Sequence, residues 1–175
     1  ALHQERIVSD IVLGHDCQLV LDHYIVRDFE SSMSVLDSII VSVPNVSPLY
    51  HFLRAQVRTS QIEAQPMNES EQRLRYLEIL QDLKYCAASL PDFPYASYNL
   101  GNTCMKLKDY GTAVDAYSET IARDADMPEA YYNRGVAYIL LGKTEEGLAD
   151  LSRAGELGLY QAYNLIKKHS KNRGH

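Results

Sequence analysis

Two short stretches of the sequence repeat each other at a fixed interval, and this repetition limits what the chain can fold into. The stretch "YNLGN" begins at Tyr98, and "YNRGV" begins at Tyr132, 34 residues later. The same interval aligns three further pairs: Pro94 with Pro128, Asn99 with Asn133, and Gly101 with Gly135. A sequence that matches itself at a period of a few tens of residues is typical of architectures built from stacked structural repeats.

Each interval has the pattern of two helices joined by a turn. Apolar residues recur at helical spacing on both sides of the polar turn at 108–110, in the set Leu100, Cys104, Leu107, Ala113, Val114, Tyr117 and Ile121. Pro128 then ends the second helix, because proline cannot continue a helix but suits the first turn of the next one. We therefore predict helix, turn, helix in each interval.

The repeated glycine has a mechanical interpretation. Gly101 and Gly135 fall within predicted helices, where a glycine costs about 1 kcal/mol relative to alanine. A glycine at the same place in both intervals predicts that another backbone approaches closely there. Ala113 and Gly147 are the small partners expected on the opposing helices, because larger residues would push each hairpin apart.

These residues resemble the tetratricopeptide repeat family, whose pattern reads W-x2-L-G-x2-Y, then A-x3-F, then P over about 34 residues. The matching positions are Ser97, Leu100, Gly101, Cys104, Ala113 and Tyr117 in the first interval, and Tyr131, Arg134, Gly135, Tyr138, Gly147 and Leu151 in the second. The chain departs from the pattern where Ser97 replaces a large aromatic residue, Arg134 replaces leucine, and Ala125 and Leu159 replace the closing proline.

The resemblance implies an all-α fold, an α-α superhelix or solenoid of helical hairpins with a C-terminal capping helix. The residues expected to pack the repeats together are Leu100, Gly101, Ala113, Tyr117, Gly135, Tyr138, Gly147 and Leu151. Stacking is required because one hairpin cannot bury its apolar face alone.

Weaker matches extend the resemblance upstream to residues 13–93, and we predict the chain, 1–175, to be a single domain. The predicted parts are an unassigned segment 1–12, a degenerate repeat 13–46, a repeat with an extended hairpin 47–93, repeats 94–127 and 128–159, a capping helix 160–169 and a basic tail 170–175. The extended hairpin carries a polar insertion at 59–70, where Asn68 and Glu71 have the spacing of a capping box. An enlarged hairpin of this kind often contacts a partner.

Charge and hydropathy exclude several classes of partner. The formal net charge of −6 argues against nucleic acid, and against an anionic membrane surface, as the main partner. The segment 167–175 is the exception, with four Lys or Arg residues and no acid. A basic contact arm and a solvated, frayed terminus are both open there, and the second is favoured. No stretch has the roughly 18 apolar residues of a membrane-spanning helix, which argues against membrane insertion.

The sequence has no catalytic or metal-binding pattern. Cys17, Cys86 and Cys104 form no C-x-x-C pair, as a zinc site would require. The adjacent His15, Asp16 and Cys17 cannot converge on one atom if they lie on a helix, because consecutive helical residues point to different faces. We therefore predict that the chain is not an enzyme and holds no metal and no cofactor.

The resemblance also implies a function. In tetratricopeptide repeat arrays the first helix of every unit lines an inner groove that receives peptides or helices of partner proteins. The residues expected to line this groove are Tyr95, Tyr98, Asn102, Met105, Lys106, Glu129, Tyr132, Val136, Ile139 and Tyr163. We therefore predict a scaffold for protein-protein interaction that binds a segment of an unidentified partner protein. The alternative is an assembly element, either self-associating or a spacer within a larger repeat protein.

Some members of the family hold a free C-terminal carboxylate with lysine, asparagine, asparagine, lysine and arginine from three first helices. Asn102 and Asn133 fall at the two asparagine places, but Tyr98 occupies the first lysine place, and Tyr160 and Asn164 stand near the last two. A site without cations cannot hold a carboxylate strongly. We therefore expect peptides with a free acidic C terminus to bind no better than amidated ones.

No segment of the chain specifies a cellular location. The sequence begins with Ala1 and shows no signal-peptide pattern. The chain is expected to be soluble, with the cytoplasm slightly favoured; a fragment that has lost its targeting segment is the alternative.

Overall fold

The computed structural model describes residues 14–172, and this part of the chain forms nine α-helices without a β-strand. In chain order the helices are α1 (Gly14–Ile25), α2 (Phe29–Ser42), α3 (Pro48–Ala64), α4 (Glu69–Ser89), α5 (Pro94–Lys106), α6 (Tyr110–Arg123), α7 (Pro128–Leu140), α8 (Thr144–Glu156) and α9 (Gln161–Asn172). The all-α fold expected from the repeat is confirmed. The predicted segment 1–12 and residues 173–175 of the predicted basic tail lie outside the described residues.

The chain divides into two compact units. Unit 1 ends at Ser89 and contains α1 to α4, whereas unit 2 begins at Leu90 and contains α5 to α9. Within each unit, helices that follow one another in sequence pack against each other. The single domain and the repeat boundaries drawn from the sequence stay predictions.

The helices of the hairpins start in two different ways. Proline occupies the first position of α3, α5 and α7, at Pro48, Pro94 and Pro128, where its missing N–H would have had no partner in the helix. Aspartate caps α2 and α6: Asp28 accepts a hydrogen bond from the backbone N–H of Ser31 at 3.1 Å, and Asp109 one from that of Thr112 at 3.2 Å. These caps satisfy backbone donors that the first helical turn leaves free.

Four connections between helices share one turn geometry. A residue with positive φ follows α1, α5, α7 and α8, at Arg27 (62°), Lys108 (62°), Gly142 (81°) and Gly158 (101°). In each turn the next N–H donates to the carbonyl five residues earlier, at 2.9 Å. This is the Schellman arrangement, which reverses the chain tightly after a helix. The turn of the degenerate first hairpin therefore has the same geometry as the turns of unit 2.

Unit 1 is held by an apolar core and contains the two longest helices. One core cluster comprises Val20, Phe29, Leu36, Ile39, Leu53 and Val57. The helices α3 and α4 have 17 and 21 residues, against 12 to 14 in the others. The predicted capping box is confirmed: Asn68 Oδ1 accepts from the N–H of Glu71 at 2.9 Å, and Glu71 Oε2 accepts from the N–H of Asn68 at 3.2 Å.

Glycines allow close contact between the helices of unit 2, but not in the same way in both hairpins. A Cβ built on Gly135 would lie 2.8 Å from the carbonyl oxygen of Gly147, which is the expected partner. A Cβ built on Gly101 would instead lie 2.5 Å from the ring of Tyr117. The atoms nearest Gly101 therefore belong to Tyr117 rather than to Ala113, because the ring folds back over the glycine.

Candidate functional site

The residues predicted to line a groove lie on α5, α7 and α9, the first helices of unit 2. We call them the first-helix surface: Tyr95, Tyr98, Asn102, Met105, Lys106, Glu129, Tyr132, Val136, Ile139 and Tyr163. Lys106, Glu129 and Tyr163 are exposed, and the other members are partly buried. Their contact with a partner stays a prediction.

A hydrogen-bonded network joins two members of this surface to two other helices. Asn133 Nδ2 donates to Asn102 Oδ1 at 3.0 Å and to the hydroxyl of Tyr98 at 3.1 Å. The hydroxyl of Tyr117 donates to the same Asn102 oxygen at 2.8 Å, and the Tyr98 and Tyr117 rings are 5.9 Å apart. The network therefore ties α5 to α6 and α7 and fixes the orientation of both asparagine amides.

Burial also disfavours ionisation of the two tyrosine hydroxyls in this network. Burial is the main cause that raises the pKa of both Tyr98 and Tyr117 above the ordinary value of 10.0. Desolvation disfavours the charged phenolate, so both hydroxyls stay protonated at neutral pH and remain able to donate.

Three members of the first-helix surface also pack against other helices. A Cβ built on Gly147 would lie 2.7 Å from Ile139, so Ile139 packs on α8 within its own hairpin. Tyr132 packs against the buried cluster of Leu151, Ala154 and Ala162. The ring of Tyr163 covers Gly155 while 43% of the residue remains exposed. Tyr132, Ile139 and Tyr163 therefore contribute to packing within unit 2, as tyrosines at helical spacing commonly do.

The predicted repeat-packing residues divide by burial. Gly101, Ala113, Tyr117, Gly135, Gly147 and Leu151 are buried, whereas Leu100 and Tyr138 are only partly buried. Ser97, which stands where the family has a large aromatic residue, is 4% exposed. The ring of Tyr138 lies 5.8 Å from the guanidinium carbon of Arg134.

Arg134, which stands where the family pattern has a leucine, forms a polar connection that the sequence did not predict. The guanidinium donates to both oxygens of Asp150 on α8, at 2.7 and 2.8 Å, and to the hydroxyl of Ser118 on α6 at 3.0 Å. The hydrogen bonds to Asp150 are the main cause that raises the pKa of Arg134. One arginine on α7 therefore joins both neighbouring helices.

Unit 1 contains a larger version of the same connection around Asp82, which is 3% exposed. Arg54 on α3 donates to both oxygens of Asp82, at 2.9 and 2.6 Å, and to Asp37 on α2 at 2.7 Å. Arg58 donates to Asp82 at 2.6 Å, and His51 Nδ1 lies 2.9 Å from it. Three basic side chains of α3 thus surround one buried carboxylate of α4.

The sequence contains a signal that could have revealed both connections. Arg54 follows Pro48 by six residues, and Arg134 follows Pro128 by six residues. Both prolines occupy the first position of a first helix, so the two arginines stand at the same repeat position. The acceptors could not have been found in this way, because Asp82 and Asp150 lie at different distances along their hairpins.

Groups with chemical reactivity are sparse in residues 14–172. No group of three or more His, Cys, Asp or Glu side chains in that range could hold a metal ion. Cys86 and Cys104 are buried, and burial raises the pKa of the Cys86 thiol to about 11. Such a thiol is a poor nucleophile at neutral pH.

None of the helices described is both long and apolar enough to cross a membrane.

Family models match the second unit of the chain. A "TPR repeat" model matches residues 101–142, and a "Tetratricopeptide repeat" model matches residues 128–157. These ranges cover the second half of α5 and the whole of α6, α7 and α8. The fold and these matches define a protein of helical repeats. Residues 101–157 therefore carry repeats of the tetratricopeptide type.

Two curated relatives match part of the chain. Small glutamine-rich tetratricopeptide repeat-containing protein 2 of Mycosarcoma maydis is 32% identical over 57 residues, which are 33% of this chain and 16% of that protein. Hsp70-Hsp90 organizing protein 1 of Arabidopsis thaliana is 32% identical over 77 residues, 43% of this chain and 14% of that protein. The chain therefore spans only a small part of the length of either relative.

Solved structures share the fold over most of the chain. The crystal structure of MamA matches with a TM-score of 0.70 at 16% identity, covering 91% of this chain and 86% of that one. The first TPR of Spaghetti, bound to the HSP90 peptide SRMEEVD, matches with a TM-score of 0.63 at 21% identity, covering 76% of this chain and 98% of that one. At these identities the likeness shows the fold alone.

Proposed function

We propose that unit 2 binds a peptide or a helical segment of a partner protein on its first-helix surface. The observation that carries this proposal is the network of Tyr98, Asn102, Tyr117 and Asn133. Asn133 Nδ2 donates its two hydrogens to Tyr98 and Asn102, and Asn133 Oδ1 accepts no hydrogen bond within residues 14–172. An acceptor held rigidly beside tyrosine rings suits the N–H of a peptide backbone.

Rigidity favours binding because a preordered surface loses little freedom when the partner arrives. The Tyr117 hydroxyl and the Asn133 amide both hold Asn102 from neighbouring helices. Tyrosine adds large contact area with few rotatable bonds, and is common at binding hot spots. Tyr95 and Tyr132 are partly exposed, and Tyr163 is exposed, on α5, α7 and α9 of the same unit.

The relatives support a protein ligand of this kind. The Spaghetti repeat, of the same fold, was solved with an HSP90 peptide, and the name of the Arabidopsis relative describes a protein that organizes Hsp70 and Hsp90. This chain differs in its chemistry, since Asn102 and Asn133 bond to each other and Tyr98 supplies no positive charge. We therefore propose recognition of a segment other than a free C-terminal carboxylate.

The test uses a library of random 12-residue peptides displayed on phage and panned against the whole chain. Val136→Glu introduces a glutamate at a partly buried position of the first-helix surface. Ala122→Glu introduces a glutamate at an exposed position of α6 and serves as the control. We expect selected peptides to lose binding to Val136→Glu and to keep it with Ala122→Glu. Circular dichroism must show unchanged helicity in both variants.

Peptides that bind both variants equally would contradict the proposal. Self-association through the same surface is the competing function, and light scattering over a range of concentrations separates the two. If the unchanged chain is a dimer, Val136→Glu makes it a monomer, and the library yields no binding peptide, the assembly function would be favoured.

A further inference from the structure

Helix α4 packs on α3 with one side and carries a second row of apolar residues at its surface. Whereas Ile79, Leu83 and Cys86 are buried, other residues of α4 are exposed at intervals of three and four. We call this row the α4 stripe: Leu74, Leu77, Gln81, Tyr85 and Ala88. Residues at such intervals share one face of a helix, and the ends of the stripe lie about 21 Å apart. The exposed face of a helix is normally polar, so the apolar residues of the stripe indicate a contact surface.

Three large side chains of the α4 stripe are open to solvent. Leu74 is 59% exposed, Leu77 43% and Tyr85 48%. The ring of Tyr85 is held in place all the same, because its centroid lies 4.4 Å from that of His51, and His51 Nδ1 lies 2.9 Å from Asp82. A tyrosine held in this way loses little freedom when a partner arrives, and aromatic residues of this kind are common binding hot spots.

The two edges of the α4 stripe differ in charge. Arg73 and Lys84 lie on one edge, about three helical turns apart. Both are exposed, and neither forms an ion pair within residues 14–172. On the other edge, Glu78 Oε2 lies 3.2 Å from Nη1 of Arg75, and Glu71 is part of the capping box at the start of α4. The acidic edge is therefore already engaged by the chain itself, whereas the basic edge has no counterion in the part that the structure describes.

We propose that the α4 stripe binds an amphipathic helix of a partner protein, apolar along the face that covers the stripe and acidic along the edge that meets Arg73 and Lys84. A helix that lays its apolar face on an apolar surface is a common mode of recognition. Glutamate or aspartate on that helix gives each cation a counterion, and lysine or arginine there is repelled. This surface lies in unit 1, so the proposal does not depend on the function proposed for unit 2.

A second copy of the chain fits the α4 stripe less well than an acidic helix. If two α4 helices packed antiparallel, their basic edges would lie side by side, and the cations of the two copies would repel one another. If they packed parallel, Arg73 and Lys84 would meet the edge of Glu78, which already pairs with Arg75. The charges therefore favour a different helix as the occupant.

The experiment uses a phage library of helical peptides of about 18 residues, long enough to cover the stripe. Their apolar face is fixed as leucine, and their edge positions are randomised among glutamate, glutamine and lysine. Leu74→Gln removes an exposed apolar side chain from the α4 stripe, and Leu140→Gln makes the same change in unit 2, where Leu140 is 51% exposed. We expect Leu74→Gln to weaken binding of a selected peptide about tenfold, and Leu140→Gln to leave it unchanged.

A second pair of variants tests the charge of the edge. Arg73→Gln with Lys84→Gln removes both cations beside the stripe, and Lys167→Gln with Lys168→Gln removes two exposed cations of α9. We expect glutamate to be enriched at the edge positions of peptides selected on the unchanged chain and on the α9 variant, but not on the α4 variant. A selected peptide should bind the α4 variant about fivefold more weakly, because exposed ion pairs contribute modestly. Circular dichroism must show unchanged helicity in all variants.

A library that yields no peptide dependent on Leu74, or peptides that carry lysine at the edge as often as glutamate, would overturn this proposal. If the unchanged chain is a dimer in light scattering and Leu74→Gln makes it a monomer, a second copy covers the stripe, and the proposal is also overturned. Val136→Glu is expected to leave the selected peptides bound. Peptides that depend on Val136 instead of Leu74 would overturn this proposal and leave the function proposed for unit 2 standing.

Discussion

Arg134 on α7 donates a hydrogen bond to each carboxylate oxygen of Asp150 on α8, and the two side chains are only 18% and 11% exposed. The pair stands where the family pattern places a leucine, so an ionic contact replaces an apolar one inside the hairpin. Arg54 and Asp82 form the same kind of pair in unit 1. The geometry makes the cost of breaking either pair a direct test of the structure.

Arg134→Leu is expected to destabilise the chain by about 2 to 3 kcal/mol, because it leaves the Asp150 carboxylate buried without a partner. The double variant Arg134→Leu, Asp150→Leu is expected to recover most of this loss, since neither charge then remains. Urea denaturation followed by circular dichroism measures both. Equal losses in the single and double variants would contradict the predicted coupling.

Asp82→Ala is expected to cost about 3 kcal/mol in unit 1, because Arg54 and Arg58 would keep their charges while losing a buried acceptor. Asp37→Ala is the matched control, since Asp37 contacts Arg54 but is 50% exposed. Its cost should stay below about 1 kcal/mol, as for other exposed pairs. Similar costs for the two variants in urea denaturation would refute the special place of Asp82.

Gly101→Ala is expected to destabilise by about 1 to 3 kcal/mol, because the new methyl group would meet the Tyr117 ring at 2.5 Å. Gly111→Ala adds the same methyl group in α6, where Asp109 Oδ1, at 4.0 Å, is the nearest atom apart from the adjacent residues and the backbone of the helix. That variant should gain about 0.5 kcal/mol from helix propensity. Thermal unfolding compares the two, and a gain for Gly101→Ala would show that the ring can move aside freely.

Stability is expected to fall above pH 10 partly through Tyr117. Its pKa is raised in the folded chain, mainly by burial, so the unfolded chain loses this proton first as the pH rises. The stabilisation is therefore fully present below the ordinary pKa of 10.0 and declines above it. Tyr117→Phe should cost about 1 kcal/mol at pH 8, for the lost hydrogen bond to Asn102, and should lose less stability than the unchanged chain between pH 10 and 11. Urea denaturation at each pH measures the difference, and parallel pH curves would exclude Tyr117 as the cause.

A peptide with a free acidic C terminus is expected to bind no better than its amidated form. Asn133 Nδ2 already donates two hydrogen bonds within the network, and Tyr98 carries no positive charge where the family pattern has a lysine. Asn102 Nδ2, which contacts Asn99 Oδ1 at 3.5 Å, cannot by itself hold a carboxylate strongly. A titration with the HSP90 peptide SRMEEVD in both forms measures this. A preference of about tenfold or more for the free acid would prove the expectation wrong.

Much of the fold was predictable because its causes are local. Pro48, Pro94 and Pro128 each begin a first helix, and Asn68 and Glu71 form the predicted capping box at the start of α4. Helix starts and capping boxes were predictable because they depend only on residues within one helical turn. The partner of Gly101 was predicted less well. The sequence spacing placed Ala113 opposite Gly101, but the ring of Tyr117, four residues further along α6, folds back over the glycine. Spacing alone does not show which of the two side chains lies closer.

The sequence by itself determined the helical hairpins, because a period of 34 residues with apolar positions at helical spacing has one economical way to bury its apolar faces. Only the tertiary structure decided which polar groups meet between helices: Arg134 with Asp150, Arg54 with Asp82, and Asn133 with Asn102 and Tyr98. The physical reason is range. Helix starts and turns depend on neighbours in sequence. A hydrogen bond between helices requires the donor-acceptor distance to be right to within a few tenths of an ångström, and only the packed core sets that distance.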